Sequence, residues 1–186
     1  FQHLPRSEDT PFPAYTLQQL TSLDLTNLYS DVLEHVHLLP GLRALTAFIE
    51  TFGSTSSKLS ELQQLTSLCV WGTPIPWGPS VNPAGLANKS HLRHLRIGCC
   101  CMAGGAAGVS VLLSHLQQMT QLTCLILLSV WDLEVANSGP PAAAYAALTA
   151  SSTLQHLNVG GYKLPPDVWQ HVLPADRQLL QLHALE

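Results

Sequence analysis

Charge is scarce in this chain. Charged residues fill 11% of its 186 positions, against about 25% in an average soluble protein, while apolar residues reach 46%. Eight Lys and Arg face twelve Asp and Glu, for a formal net charge of -4. That balance gives no broad positive field to condense on a phosphate backbone or an anionic lipid surface, so nucleic acid is not an expected partner. A disulfide framework is missing too: the five cysteines, Cys69, Cys99, Cys100, Cys101 and Cys124, are odd in number and three are adjacent. Such spacing suits a reducing, intracellular compartment. Phe1 to Arg6 holds neither an initiator Met nor the layout of a secretory signal, and the chain is expected to be part of a longer one.

Long apolar runs are also in short supply. Ile97 to Ser114 carries no charged residue and has about the length of a membrane helix, with Gly104 and Gly108 forming a G-x-x-x-G pair. Most of it is Gly, Ala, Ser and Cys, which gain little in hydrocarbon, so no membrane span is expected.

What is present is a repeat. Leu17-Gln18-Gln19-Leu20-Thr21-Ser22-Leu23 recurs letter for letter as Leu62-Gln63-Gln64-Leu65-Thr66-Ser67-Leu68, and imperfectly from Leu116 to Leu122. Aligning these copies exposes apolar triplets: Leu20/Leu23/Leu25, Leu42/Leu45/Ala47, Leu65/Leu68/Val70, Leu92/Leu95/Ile97, Leu122/Leu125/Leu127 and Leu154/Leu157/Val159. Their middle members lie 22, 23, 27, 30 and 32 residues apart. The last two members of each triplet are two apart and share one face of a short strand.

Several intervening segments read as helices. Asp31 can cap a run with Val32, Val36 and Leu39 on one face before Pro40 and Gly41 stop it. Val109, Leu112, Leu113 and Leu116 form a stripe; Pro141 can open a helix carrying Tyr145 and Leu148, and Pro166 one carrying Val168, Trp169 and Val172. Between Trp71 and Pro83, the prolines Pro74, Pro76, Pro79 and Pro83 forbid a regular helix and predict an extended or turn-rich return. Strand, return and parallel strand, repeated, can bury their leucines only by stacking on neighbouring copies. Strands about 4.8 Å apart are closer than helices packed roughly 8–10 Å apart, so such a stack curves with its strands inside.

The triplets resemble the leucine-rich repeat (LRR) family, whose core reads L-x-x-L-x-L-x-x-N/C-x-L. The match runs from Leu17 to Val159, with one more degenerate unit through Leu179 and Leu182. The resemblance implies an α/β fold: an LRR solenoid with a curved parallel sheet on the concave side and helices with irregular returns on the convex side. Residues 1–186 are then a single LRR domain of about six irregular repeats. The family's Asn/Cys position holds Leu28, Glu50, Thr73, Cys100, Val130 and Tyr162, of which Cys100 alone matches, so loops after the strands should be less regular than usual. The Leu-, Gln-, Ala- and His-rich style also resembles green-algal LRR proteins, some of them placed in the ciliary axoneme.

In this register the concave face carries three parallel rows. The first is Ser22, Ala44, Ser67, His94, Cys124, His156; the second Asp24, Thr46, Cys69, Arg96, Ile126, Asn158; the third Thr26, Phe48, Trp71, Gly98, Leu128, Gly160. Phe48, Cys69, Trp71, Arg96, Ile126 and Leu128 gather into one patch of the aromatic, Arg and apolar groups that typify binding hot spots. Either the patch is the docking surface for a protein partner, or a neighbouring loop or further chain covers Phe48 and Trp71.

Candidate chemistry is thin, and no enzyme activity, cofactor or metal is expected. His91 and His94 precede Cys99, Cys100 and Cys101, but no paired C-x-x-C spacing accompanies them. His94, Cys124 and His156 could stack laterally, without an evident fourth ligand. Gly108-Val109-Ser110-Val111-Leu112 lacks the final Gly of a nucleophile elbow. Asp132 and Glu134 read as a solvated turn, and Gly104-Gly105-Ala106-Ala107-Gly108 as a flexible turn, since no Lys-Ser/Thr follows it. The LRR resemblance implies a protein-interaction scaffold. Alternatives are the substrate-recruiting arm of an F-box-type ubiquitin ligase or a structural component of an axonemal assembly, with a cytoplasmic, cytoskeletal or ciliary location.

Overall fold

A computed structural model describes residues 19–26, 38–49, 59–72, 80–99, 101–102, 104–128, 140–160, 164, 167–175 and 179–185. Its strands are β1 (Ser22–Leu25), β2 (Ala44–Ile49), β3 (Ser67–Gly72), β4 (Ser80–Val81), β5 (His94–Gly98), β6 (Cys101–Met102), β7 (Cys124–Leu128), β8 (His156–Asn158) and β9 (Ala184–Leu185). Among the described residues, seven of them form one sheet in the order β1-β2-β3-β5-β7-β8-β9. Every neighbouring pair is parallel. Parallel neighbours require a crossover between them, and the chain supplies one return segment per strand.

The register is the one the triplets predict. Leu23, Leu45, Leu68, Leu95, Leu125 and Leu157 stand opposite one another across the sheet. From Leu45 onward this row is buried, Leu95, Leu125 and Leu157 completely so. The degenerate last unit also supplies a strand: β9 pairs with β8 through His156↔Ala184 and Leu157↔Leu185.

Just before the strands, one carbonyl serves two amides of the next copy. Thr21 O accepts from Arg43 N and Ala44 N, Arg43 O from Thr66 N and Ser67 N, Thr66 O from Arg93 N and His94 N, and the pattern continues through Arg93, Thr123 and Gln155. Thr66 and Thr123 reinforce it with their hydroxyls, which donate to Arg43 O at 3.2 Å and Arg93 O at 3.1 Å. Thr66 of the repeated peptide, and Thr123 just past its third copy, thus close the ladder where strand pairing begins.

Upstream of β2, β3, β5, β7, β8 and β9 a turn brings a leucine amide back to the carbonyl three residues earlier: Leu42 to Leu39, Leu65 to Leu62, Leu92 to Lys89, Leu122 to Met119, Leu154 to Ser151 and Leu182 to Leu179. The acceptor position is apolar except at Lys89 and Ser151, and both of these are buried. Lys89 is 1% exposed; its Nζ donates to Ser60 O at 3.1 Å, and burial pushes its pKa down to about 8. Ser151 Oγ lies 2.8 Å from Thr120 O and 2.7 Å from Leu122 O. Each polar intruder therefore ties its own repeat to the turn of the preceding one.

The described returns after β3 form a second layer. The 3-10 turn Pro83–Leu86, helix α1 (Ala106–Gln118), the 3-10 helix Ala142–Thr149 and helix α2 (Val168–Val172) pack side by side in chain order. Helix α1 buries Val109, Leu112, Leu113 and Leu116, the stripe read from the sequence. It starts at Ala106, directly after Gly104 and Gly105, both at positive φ, so the glycine-rich turn is shorter than the pattern suggests. The segment after Pro141 buries Tyr145 and Leu148 as expected, but winds as a 3-10 helix. In α2, Val168 and Val172 are buried, whereas Trp169 stays exposed.

Of the proline-rich return after β3, Pro74, Pro76 and Pro79 lie outside the described residues. Its described part is strand β4 followed by the 3-10 turn, with Pro83 at the first helical positions and Asn82 Oδ1 accepting from Ala84 N at 3.0 Å. The small parallel sheet of β4 with β6 was not anticipated by the apolar pattern. Ile97 to Ser114, the run long enough to suggest a membrane helix, is divided among β5, β6 and α1. Among the described residues no helix is long and apolar enough to cross a membrane. The segment from Asp31 to Val36, all six Asn/Cys-position residues, Asp132 and Glu134 lie outside the described residues.

Candidate functional site

Strand pairing assembles the patch. Phe48 pairs with Trp71, Trp71 with Gly98 and Gly98 with Leu128; one row away, Cys69 pairs with Arg96 and Arg96 with Ile126. All six candidate residues, Phe48, Cys69, Trp71, Arg96, Ile126 and Leu128, thus lie on one face of four consecutive strands, β2, β3, β5 and β7. Arg96 is exposed and the other five are half-buried.

Trp71 organises the patch. Its six-membered ring occupies the space above Gly98, where an added Cβ would collide with Cζ3 and Cε3. The guanidinium carbon of Arg96 stands over the ring, 4.2 Å from its centroid, within the range of an attractive cation–π contact. The Trp71 side chain also hydrogen-bonds to Cys69, and since an indole has only a donor, the sulfur accepts. Three residues on two neighbouring strands therefore hold one ring: Gly98 by having no side chain, Arg96 by stacking, Cys69 by accepting.

The two thiols near Arg96 are neutral at ordinary pH. Burial pushes Cys69 above the usual thiol pKa and Asp24 adds to the rise, while the Trp71 hydrogen bond and the Arg96 charge oppose it. Burial likewise raises Cys124, against the pull of Arg96. A disulfide between them is excluded by the fold. Cys69 on β3 and Cys124 on β7 have β5 between them, a separation of roughly 9–10 Å between backbones, beyond the ~7 Å that a disulfide spans.

The first row falls as predicted, with His94, Cys124 and His156 as lateral neighbours. Even so, among the described residues no group of three His, Cys, Asp or Glu side chains is placed to hold a metal ion. His91 lies in the turn ahead of β5, off the strand that carries His94. At the two ends of the face, Asp24 and Asn158 fold back on their own turns. Asp24 Oδ1 accepts from Thr26 N at 3.0 Å and Thr26 Oγ1 at 2.8 Å, and Asn158 Oδ1 from Gly160 N at 2.9 Å.

Gly98 is the site residue that sequence reasoning placed in the row without a role. Its signal is a glycine directly opposite a tryptophan across a strand pair, where a missing side chain leaves room for the ring. Comparison with known proteins adds no relative to this geometry: no family model matches the chain and no curated protein does.

Proposed function

We propose that this chain is an LRR-type solenoid that holds a protein partner on the exposed, concave face of its sheet, and that it binds rather than catalyses. The observation that carries this reading is the register: seven parallel strands in nearly chain order, with the described returns packed in the same order, set Phe48, Trp71, Arg96 and Leu128 side by side. Stacked repeats offer an extended surface of this kind. An aromatic ring, a guanidinium and aliphatic groups on it supply the large, low-entropy contact area that dominates binding energies. Cys69, Cys99 and Cys124 are free thiols, which supports a reducing, intracellular setting for the proposal.

The test is affinity capture with the wild-type chain and with Trp71→Ala, after circular dichroism has shown the variant folded. Loss of a discrete partner with Trp71→Ala is expected. Undiminished capture would remove the docking claim.

A further inference from the structure

The proposed docking face has an unbalanced charge at its centre. Arg96 is exposed, and its partner among the described residues is the Trp71 ring. A guanidinium stacked on a ring keeps its in-plane N–H groups available, in a fork that matches a carboxylate. Nothing on the described face neutralises it. Cys69 and Cys124 are its nearest candidate anions, and burial keeps both protonated. Asp24 shares the row but sits three strands away, as Asp24↔Thr46↔Cys69↔Arg96. That is roughly 14 Å at the usual strand spacing, beyond the screening length of about 8–10 Å in physiological salt. Asp24 is also occupied by Thr26 N and Oγ1.

Around this cation the surface is apolar, with Trp71 and Ile126 flanking Arg96 and Phe48 and Leu128 one row further on. An incoming anion would be partly desolvated there, which strengthens its attraction to the guanidinium. We propose that the partner is a peptide segment carrying an Asp, Glu or C-terminal carboxylate that pairs with Arg96, next to an apolar side chain that packs on Trp71, Phe48 and Leu128. The inference rests on the sheet-face reading and names the chemistry of its ligand. A polypeptide is favoured over nucleic acid because the chain carries a net charge of -4, and a single phosphate contact without a basic track gives little affinity.

The probe is a display library of random peptides selected on the folded wild-type chain and then measured against Trp71→Ala, Arg96→Lys and Arg96→Gln. Selected peptides should be enriched in Asp or Glu beside Phe, Leu or Trp. Arg96→Gln should weaken them roughly tenfold or more, Arg96→Lys should weaken them less, and added salt should weaken the wild type but not Arg96→Gln. Peptides that need Trp71 but are indifferent to Arg96 would overturn the carboxylate inference and leave the sheet-face reading intact. Peptides indifferent to Trp71→Ala, or a library that yields no binder, would overturn the sheet-face reading itself. Oligothymidine competing for the selected site with equal affinity would overturn the choice of a peptide.

Discussion

The two faces of the same strands obey different rules. On the inner face the row from Leu23 to Leu157 repeats one residue type across six strands. One position along, Asp24, Thr46, Cys69, Arg96, Ile126 and Asn158 have almost nothing in common. The contrast follows from packing. Each inner leucine touches the copies before and after it, so its volume is fixed by neighbours of the same size. An outer residue meets its lateral neighbours and solvent, and can change without disturbing the stack. Variation on the outer face is therefore inexpensive, and chemistry can accumulate there.

The largest effect should come from breaking the inner rule. Leu95→Ala, at a fully buried position in the middle of the sheet, should cost about 2–5 kcal/mol in urea unfolding; a loss below ~1 kcal/mol would mean that Leu95 is not packed in a stacked core. Lys89 tests the same rule from the other side, since four of the five matching places in other described copies are held by Leu39, Leu62, Met119 and Leu179, Ser151 being the fifth. Lys89→Met should raise stability by about 1–2 kcal/mol at pH 7, after the lost hydrogen bond to Ser60 O is set against the relieved buried charge. Its pH signature is more specific. The folded-state pKa of Lys89 is lowered to about 8 from 10.5, so between those values the unfolded chain holds a proton that the folded chain has released, and stability rises with pH. Below pH 8 both states are protonated and the penalty is constant. The alkaline rise should be present in the wild type and absent in Lys89→Met.

Ser151→Ala removes the hydroxyl shared by the Thr120 and Leu122 carbonyls and should cost about 1–2 kcal/mol. The loss is limited because Thr153 Oγ1 also reaches Leu122 O at 3.1 Å. The outer face predicts the smallest change in stability. In Gly98→Ala the new Cβ meets the far side of the Trp71 ring, which is half-buried and can swing outward, so stability should change by less than about 1 kcal/mol. The Arg96 stacking should nevertheless be lost. A shift of tryptophan emission in a chain whose other tryptophans, Trp77, Trp131 and Trp169, are replaced by Phe would report it.

The same contrast explains what the sequence disclosed. Identity at Leu20-Thr21-Ser22-Leu23 and Leu65-Thr66-Ser67-Leu68 fixes strand register, because a slip of one residue would turn every leucine outward. The six outer patch residues follow from that register by alternation alone. Less was legible where a local rule is overridden. Lys89 and Ser151 occupy inner positions that the triplets do not cover, and nothing in their residue type announces burial. The 3-10 geometry of Ala142–Thr149 carries the same apolar contacts as an α-helix, so periodicity could not distinguish them. β4 and β6 are two residues long, too short to show alternation, and their pairing joins Ser80 to Cys101 across a whole strand and its turns. The stacking of Arg96 on Trp71 depends on rotamers that spacing does not encode.

Locating the proposed partner segment on the molecule tests the central proposal most directly. A library-selected peptide carrying a photoreactive phenylalanine at its apolar position should cross-link to residues of the outer face, among them Trp71, Ile126 and Leu128, as mapped by mass spectrometry of the adduct. Cross-links confined to the helical side, at exposed Val111 or Ser114 of α1, would contradict it.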